Sequence, residues 1–341
     1  MEAMPTDAVL HFLRTPQAHG VAASDLQCSE THMSWLFFTP TQVLKLKKPV
    51  RTRYLDHSTV ARREFDCREE LRLNARLAPG VYQGLTALVR TSAGLRLVAE
   101  ESASGGETLD WLVRMRRLPE SAQLSTRLAR REFGDLPIDA LGGVLARFYL
   151  GAPAQRTTAS DYLAHLRNEQ RIDREVLLDA RWTLPGAAEA LALLDDALAE
   201  HAAAVGERAP CLVEGHGDLR PEHVYLLDPP VVIDCLEFDP RLRRVDPYDE
   251  IAFLGLECEM AGAPWIGPSL QRALARGGVP APPPDVIETY VAARALLRAR
   301  LALGHLADGL PPSDAERWRA RAARYIERCL RSNAAHGSVP C

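Results

Sequence analysis

No stretch of this chain stays apolar for long. Runs such as 251–256 and 187–194 are far below the roughly 18–20 residues a bilayer span needs, so no membrane crossing is expected. The N-terminus has Glu2 and Asp7 early and no basic segment followed by an apolar core. No secretory signal is readable there, and a cytoplasmic location is expected. An excess of one charge is also missing: Lys and Arg total 41 against 45 Asp and Glu, a net charge of −4. Without a basic field, nucleic acid is not an expected partner. The seven cysteines (Cys28, Cys67, Cys211, Cys235, Cys258, Cys329 and Cys341) are scattered and form no CxxC pair. Neither a zinc site nor a disulfide framework is expected, and most read as reduced, half-buried small hydrophobes. No GxxxxGK[ST] loop occurs, which argues against a P-loop nucleotide enzyme.

What is present is an ordinary globular composition, 47% hydrophobic over 341 residues, enough for one large domain or two lobes with their own cores. From 33 to 50 the run MSWLFFTPTQVLKLKKPV reads as a β-hairpin with its turn at 39–42. Residues 58–77 open with a capping serine and place Phe65, Leu73 and Leu77 at helical spacing, predicting an amphipathic helix. Further strands are expected at 83–89, 95–101 and 110–115. The remainder shows helical periodicity at 138–149, 160–181, 186–205, 285–307 and 313–333, interrupted by two strand-like segments at 224–227 and 231–235. The proline-rich 277–285 reads as a stiff loop and 334–341 as a frayed tail. The fold class is therefore α+β. Residues 1–115 are expected to form a small β-rich N-lobe, 116–333 a larger α-helical C-lobe, and 334–341 a flexible tail.

The segment 214–253, EGHGDLRPEHVYLLDPPVVIDCLEFDPRLRRVDPYDEIAF, holds two separate acidic centres. Asp218 follows His-Gly in a turn-prone stretch, and 16 residues later Asp234 ends an apolar strand. A hairpin between them can bring both carboxylates to one face. Phosphoryl transfer from a nucleotide needs a carboxylate to accept the hydroxyl proton, oxygen ligands for a metal ion, and a cation on the phosphates; the chain offers each.

HGDLRPEH (216–223) resembles the HGDxxxxN catalytic loop of the aminoglycoside phosphotransferase and choline kinase-like families, which have a two-lobed protein-kinase-like fold. The resemblance runs from about residue 31 to 253. It is nearest to a bacterial group of aminoglycoside phosphotransferase-like proteins with segments like THMSW, KLKKPV and RMRRLP here. It implies an ATP-dependent phosphotransferase acting on a hydroxyl of a small molecule, with Mg2+ or Mn2+ as the metal. By that resemblance Asp218 is the catalytic base, Asp234 in VVIDCLEFD the metal ligand, and Asp249 a buried structural residue. Lys45, with Lys47 as its rival two residues on, would meet the phosphates, and Glu70 rather than Glu69 would pair with the lysine. Around Met115 and Arg117 the backbone would bind adenine. His216 reads as orienting the backbone around Asp218.

The chain departs from that pattern at His223, which stands where the family has a metal-binding Asn. A neutral imidazole suits Mg2+ poorly, so Asp234 and water, or a softer ion such as Mn2+, would carry the site, with Glu222 or, better, Glu237 supplying oxygen. No GxGxxG precedes the lysine strand, and the Thr-Pro-Thr-Gln turn would cover phosphates less closely. Two alternatives follow from these departures: a nucleotide-binding regulatory protein without turnover, and a metal-dependent hydrolase built from Glu214, His216, Asp218, Glu222 and His223. Asp239, Asp246 and the 241–244 run read as a solvated loop, and Trp35, Trp111 and Trp265 as core or groove aromatics. The sequence leaves the acceptor and the oligomeric state open.

Overall fold

Strict alternation along Gln42–Lys47 decides how the first part of the chain is built. The computed structural model describes residues 6–52, 54–308 and 312–334. Strands β1 (Gln27–Glu30), β2 (Ser34–Phe38) and β3 (Gln42–Lys47) run antiparallel, and β4 (Tyr82–Thr91), β5 (Gly94–Ala99) and β6 (Glu107–Arg116) complete a six-stranded sheet in the order β1-β2-β3-β6-β4-β5. Successive side chains of a strand point to opposite faces. On one face Val43 joins Leu85, Ala87, Trp111, Val113 and Met115 in a core that includes Cys67; on the other Leu44 and Leu46 pack with Leu88, Leu112 and Phe37. Lys45 and Lys47 therefore share the face of Val43. The expected turn between β2 and β3 forms: Thr39 N–H donates to the Gln42 carbonyl at 2.9 Å, and Gln42 N–H to the Thr39 hydroxyl at 3.1 Å. Two short ribbons follow: β7 (Val213–Glu214) pairs with β10 (Arg244–Val245), and β8 (Val224–Tyr225) with β9 (Val231–Val232).

Helix α1 (Thr6–Leu13), followed by the single turn α2 (Pro16–His19), lays Leu10 and Leu13 on the second face of the sheet. The first face receives α3 (Val60–Asn74), whose N-cap Thr59 accepts from Arg62 N–H at 3.3 Å. The apolar stripe expected there is buried at Leu73 and Leu77 but not at Phe65. Phe65 is 64% exposed, and the inward face is Arg63, Asp66, Cys67, Glu70, Leu73 and Asn74. Such a face is tolerable because each charge meets a partner. Arg63 makes a forked contact to Asp110 at 2.7–3.0 Å, Asp66 lies 3.0 Å from His57, and Glu70 meets two lysines.

After α4 (Leu124–Ala129) the chain is helical: α5 (Ile138–Gly151), α6 (Ala159–Leu177), α7 (Ala187–Glu200), the short α8 (Ala202–Gly206), α9 (Pro247–Met260), α10 (Ile266–Arg276), α11 (Pro284–Gly304) and α12 (Pro312–Ala334). Helix α9, which sequence reading leaves unassigned, is buried at every position from Pro247 to Cys258. A helix enclosed on all sides has no polar face and so no amphipathic period. Its carboxylates are matched: Asp249 forks to Arg294 at 2.6–2.7 Å, and Glu257 meets Arg298 at 2.9 Å and the Tyr325 hydroxyl at 2.5 Å. Asp246 caps α9 through Tyr248 N–H at 2.8 Å and pairs with Arg208 at 2.6 Å. Where α9 crosses α10, a Cβ on Gly255 would stand 2.8 Å from the Gly267 Cα, so a side chain there would force the helices apart.

Two compact units emerge, and neither is one continuous stretch. The first holds residues up to 131 with 216–218 and 222–243; the second holds 132–215, 219–221 and those from 244 on. The Asp218 and Asp234 segments thus belong to the same unit as Lys45 and Glu70. Among the described residues no helix is long and apolar enough to cross a membrane. Six described cysteines are free thiols, four of them fully buried; the frayed-tail expectation falls, beyond Ala334, outside the described residues.

Candidate functional site

The Asp234 segment is tied down one peptide at a time. Leaving β9, Val232 N–H donates to the Leu77 carbonyl at 3.1 Å, Ile233 N–H to the His223 carbonyl at 2.9 Å, and Asp234 N–H to the Tyr82 hydroxyl at 3.0 Å. Cys235 N–H then donates to Asn74 Oδ1 at 2.9 Å and Leu236 N–H to the His216 carbonyl at 3.0 Å. Beyond them the Arg243 guanidinium donates to the carbonyls of Leu236 and Glu237 at 2.9 and 3.0 Å. These bonds hold Asp234 at φ +62, a left-handed conformation that costs a residue with a Cβ roughly 1–2 kcal/mol. A strained backbone held by this many bonds is a common mark of a working segment.

Two lysines and three carboxylates form one network beside it. Lys45 Nζ lies 2.9 Å from Glu70 Oε1 and 2.7 Å from Asp234 Oδ1. Lys47 Nζ lies 2.7 Å from Glu70 Oε2 and also pairs with Glu237. Glu70 is fully buried and Lys47 is 1% exposed, whereas 44% of the Asp234 side chain meets solvent. Burial works against the charge on Lys45, but Asp234 and Glu70 overrule it and hold its ammonium well above the usual range. Burial likewise disfavours charge on Asp234, and Lys45, with His223 and Lys47 behind it, holds that carboxyl well below the usual range; water at its exposed side screens part of this pull.

Two histidines flank Asp218 and fix its backbone. His216 Nε2 lies 2.9 Å from the Ile233 carbonyl, which can only accept, so Nε2 carries the hydrogen and Nδ1 accepts from Asp218 N–H at 3.2 Å. On the other side His223 Nδ1 lies 2.8 Å from the Asp218 carbonyl and donates to it. The two rings stack at 5.8 Å, and His223 Nε2 stands 3.5 Å from Asp234 Oδ2. Burial first, then His223, pushes His216 down to about 4, so it is neutral in the folded chain. An unfolded imidazole titrates near about 6.5. The stability this contributes is present above that value and lost as pH falls toward 4, reaching about 2 kcal/mol by pH 5. Denaturant unfolding at pH 7 and pH 5 checks this: His216→Gln should shrink the acid-induced loss by that amount, and an unchanged loss would mean another group governs acid sensitivity.

The structure brings Lys45, Glu70, Asp234, His223, His216 and Asp218 together. Glu69 lies apart, paired with Arg72 at 2.8 Å. Glu237, sought as an oxygen donor for a metal, engages Lys47 through Oε1. The Arg116 and Arg117 amides donate to the Val81 and Thr41 carbonyls at 2.8 Å, and the Arg117 guanidinium to the Thr39 carbonyl at 2.9 Å; Met115 packs in the sheet core. The hydrolase cluster does not assemble. Both ring nitrogens of His216 serve backbone groups, and among the described residues no three His, Cys, Asp or Glu side chains form a metal-binding group. The solvated-loop reading of Asp239, Asp246 and the 241–244 run is corrected in part: Arg243, Asp239 and Asp246 are 2%, 5% and 0% exposed, with Arg243 and Asp246 held inside by the Glu237 carbonyl and Arg208, whereas Arg241, paired with Asp239, is exposed. Trp111 is buried as expected, but Trp265 is 41% exposed. Sequence reading missed Tyr82, Asn74 and Arg243, which carry no signal apart from their contacts.

No family profile matches the chain. Curated relatives from Mycobacterium tuberculosis and Mycobacterium bovis, both described as uncharacterised, are 28% identical over 312 residues, covering 89% of this chain and 60% of theirs. The chain therefore spans about 60% of the length of the curated relatives it matches. Among solved structures, a choline/ethanolamine kinase family protein from Mesorhizobium loti superposes with a TM-score of 0.57 at 18% identity, covering 98% of this chain and 95% of that one. A thermostable mutant of the aminoglycoside phosphotransferase APH(4)-Ia, in ternary complex with AMP-PNP and hygromycin B, gives 0.50 at 15% identity, covering 96% and 99%. The chain thus has the protein-kinase-like fold of these small-molecule kinases.

Proposed function

We propose that this chain is an ATP-dependent phosphotransferase that moves the γ-phosphate to a hydroxyl of a small molecule. The observation that carries the reading is Lys45 held between Glu70 and Asp234 at 2.9 and 2.7 Å, with Asp218 anchored close by through His223. Lys45 is the cation for the nucleotide phosphates, Glu70 fixes its position, and Asp218 accepts the proton of the attacking hydroxyl. The residues fit a divalent ion: Asp234 splits its oxygens, Oδ1 toward Lys45 and Oδ2 toward His223. When bound, such an ion neutralises charge developing on the transferred phosphoryl group. The fold's known acceptors, an aminoglycoside among them, make a hydroxylated small molecule the class to screen.

The test is calorimetric titration of Mg2+–ATP and Mn2+–ATP into wild type and Lys45→Met, followed by acceptor-stimulated ATP turnover over a library of hydroxylated metabolites. Binding that weakens at least about tenfold in Lys45→Met, with turnover in wild type, is the expected result. Binding without turnover for any acceptor or ion would favour a regulatory nucleotide-binding role, to which His223 in the Asn position points. No nucleotide binding at all would end the phosphotransferase reading.

A further inference from the structure

Lysine is scarce in this chain. Of 41 basic residues only three are lysine, Lys45, Lys47 and Lys48, and the other 38 are arginine. The two side chains are not interchangeable. A guanidinium is a planar fork that suits one carboxylate, whereas an ammonium is a compact charge whose three N–H groups can serve acceptors in different directions. Lys48, beyond the end of β3, pairs with Glu30 at 2.6 Å and lies over the Trp35 ring. Lys45 and Lys47 each join the same two parts of the chain. Both meet Glu70 of α3, Lys45 at Oε1 and Lys47 at Oε2, and each also meets a carboxylate in the segment after β9, Asp234 for Lys45 and Glu237 for Lys47.

The two joints differ in what can reach them. At the first, Asp234 is 44% exposed; at the second, Lys47, Glu70 and Glu237 are all buried. Burial works against the charge on Lys47, but Glu237 and Glu70 overrule it and hold its ammonium above the usual range. A nucleotide with its cation draws on both ends of the first joint at once, phosphate oxygens competing for Lys45 and the cation for Asp234. The second joint is closed to it. With Lys47 in place, Glu70 keeps one oxygen fixed while the other guides Lys45. Without Lys47, a fully buried carboxylate would depend on the one ammonium that the nucleotide also engages.

We propose that Lys47 is a positioning residue for phosphoryl transfer, holding Glu70 to the 234–237 segment so that Lys45 stays aimed at the phosphates when its contact with Asp234 is given up. This rests on the phosphotransferase reading. The role differs from that of Lys45, which touches the phosphates itself.

The experiment uses the full chain with its lysines isotope-labelled, so that the ammonium spectrum holds at most three signals, each assigned through its own side chain. Addition of Mg2+–AMP-PNP should shift the Lys45 ammonium and leave those of Lys47 and Lys48 where they were. Wild type and Lys47→Met/Glu237→Gln are then treated with an acyl-phosphate derivative of ATP. Its acyl group passes to a lysine amine beside the phosphates, forming an amide as ATP leaves and a proton goes to solvent, and mass spectrometry reads which lysine is acylated. The double variant leaves no uncompensated carboxylate at 237. Wild type should be acylated at Lys45 alone. In the double variant, acylation per bound nucleotide should fall at least about tenfold, inside the roughly 10²-fold that a misplacement of about 1 Å costs. A loss of stability alone would not move that ratio, because both proteins are compared folded and with nucleotide bound. Should the double variant fail to fold, the wild-type spectrum decides. A Lys47 ammonium that shifts as far as that of Lys45, acylation of Lys47, or an undiminished ratio in the double variant overturns the positioning role and leaves the phosphotransferase standing. Folded wild type in which Mg2+–AMP-PNP moves no lysine signal and gives no calorimetric binding overturns both.

Discussion

Lys47→Met is expected to lower the stability of the chain by about 3–5 kcal/mol, the scale of breaking a buried ion pair. Lys47 is 1% exposed and its ammonium is shared by Glu70 and Glu237. Methionine fills nearly the same volume, so little of the loss comes from a cavity. What remains is electrostatic: three carboxylates, Glu70, Asp234 and Glu237, are left around the single ammonium of Lys45, and Glu237 is only 9% exposed. Adding Glu237→Gln should recover more than half of the loss by removing the uncompensated charge. Lys45→Met should cost much less, about 1 kcal/mol, because Asp234 is 44% exposed and water can take up its charge. Denaturant unfolding of the three variants measures the difference. If Lys47→Met and Lys45→Met were equally stable, the buried pair would not be what holds Glu70 in place.

The contrast between the two lysines also shows where sequence reading stopped. A period of two puts residues 45 and 47 on one strand face, so the pattern names both and cannot choose between them. The structure uses both on opposite oxygens of Glu70, with Lys45 alone reaching Asp234. The β2–β3 hairpin was legible because its signals are local: alternation, a Thr-Pro turn and Pro49 at the end. The inward face of α3 was legible only in part: Leu73 is buried as expected, but most of its neighbours there are polar. An apolar periodicity scan selects Phe65, while the buried positions Arg63, Asp66, Glu70 and Asn74 are polar, and their partners come from β6, the 57 loop, β3 and the Asp234 segment. Helix α9 escaped for the opposite reason, being buried all round. Arg243 and Asp246 escaped because a charged run is solvated unless a distant residue meets it. The Arg208 that meets Asp246 lies 38 positions away. Order and spacing could relate HGDLRPEH to VVIDCLEFD, whereas Tyr82, Asn74 and Arg243, which moor that second segment, are held by contacts that no spacing rule encodes.

Asp218→Asn should abolish most phosphoryl transfer while leaving the nucleotide site intact, a loss of about 10²–10⁴-fold if Asp218 is the general base. The geometry makes this a clean substitution. Asp218 is positioned through its backbone, its N–H donating to His216 Nδ1 at 3.2 Å and its carbonyl accepting from His223 Nδ1 at 2.8 Å, and asparagine keeps both groups. The carboxylate is a third exposed, so water can take up much of the change in its charge. Stability should therefore change by less than about 1 kcal/mol. ATP affinity should stay within about twofold, since Lys45, Glu70 and Asp234 are untouched. Single-turnover kinetics with the acceptor found by screening, beside calorimetric ATP binding, separates the two effects. A variant that binds ATP as wild type does and transfers phosphate at the wild-type rate would strip Asp218 of the base role. A variant that loses binding as well would place Asp218 in the nucleotide site instead, and the hydroxyl proton would then need another acceptor.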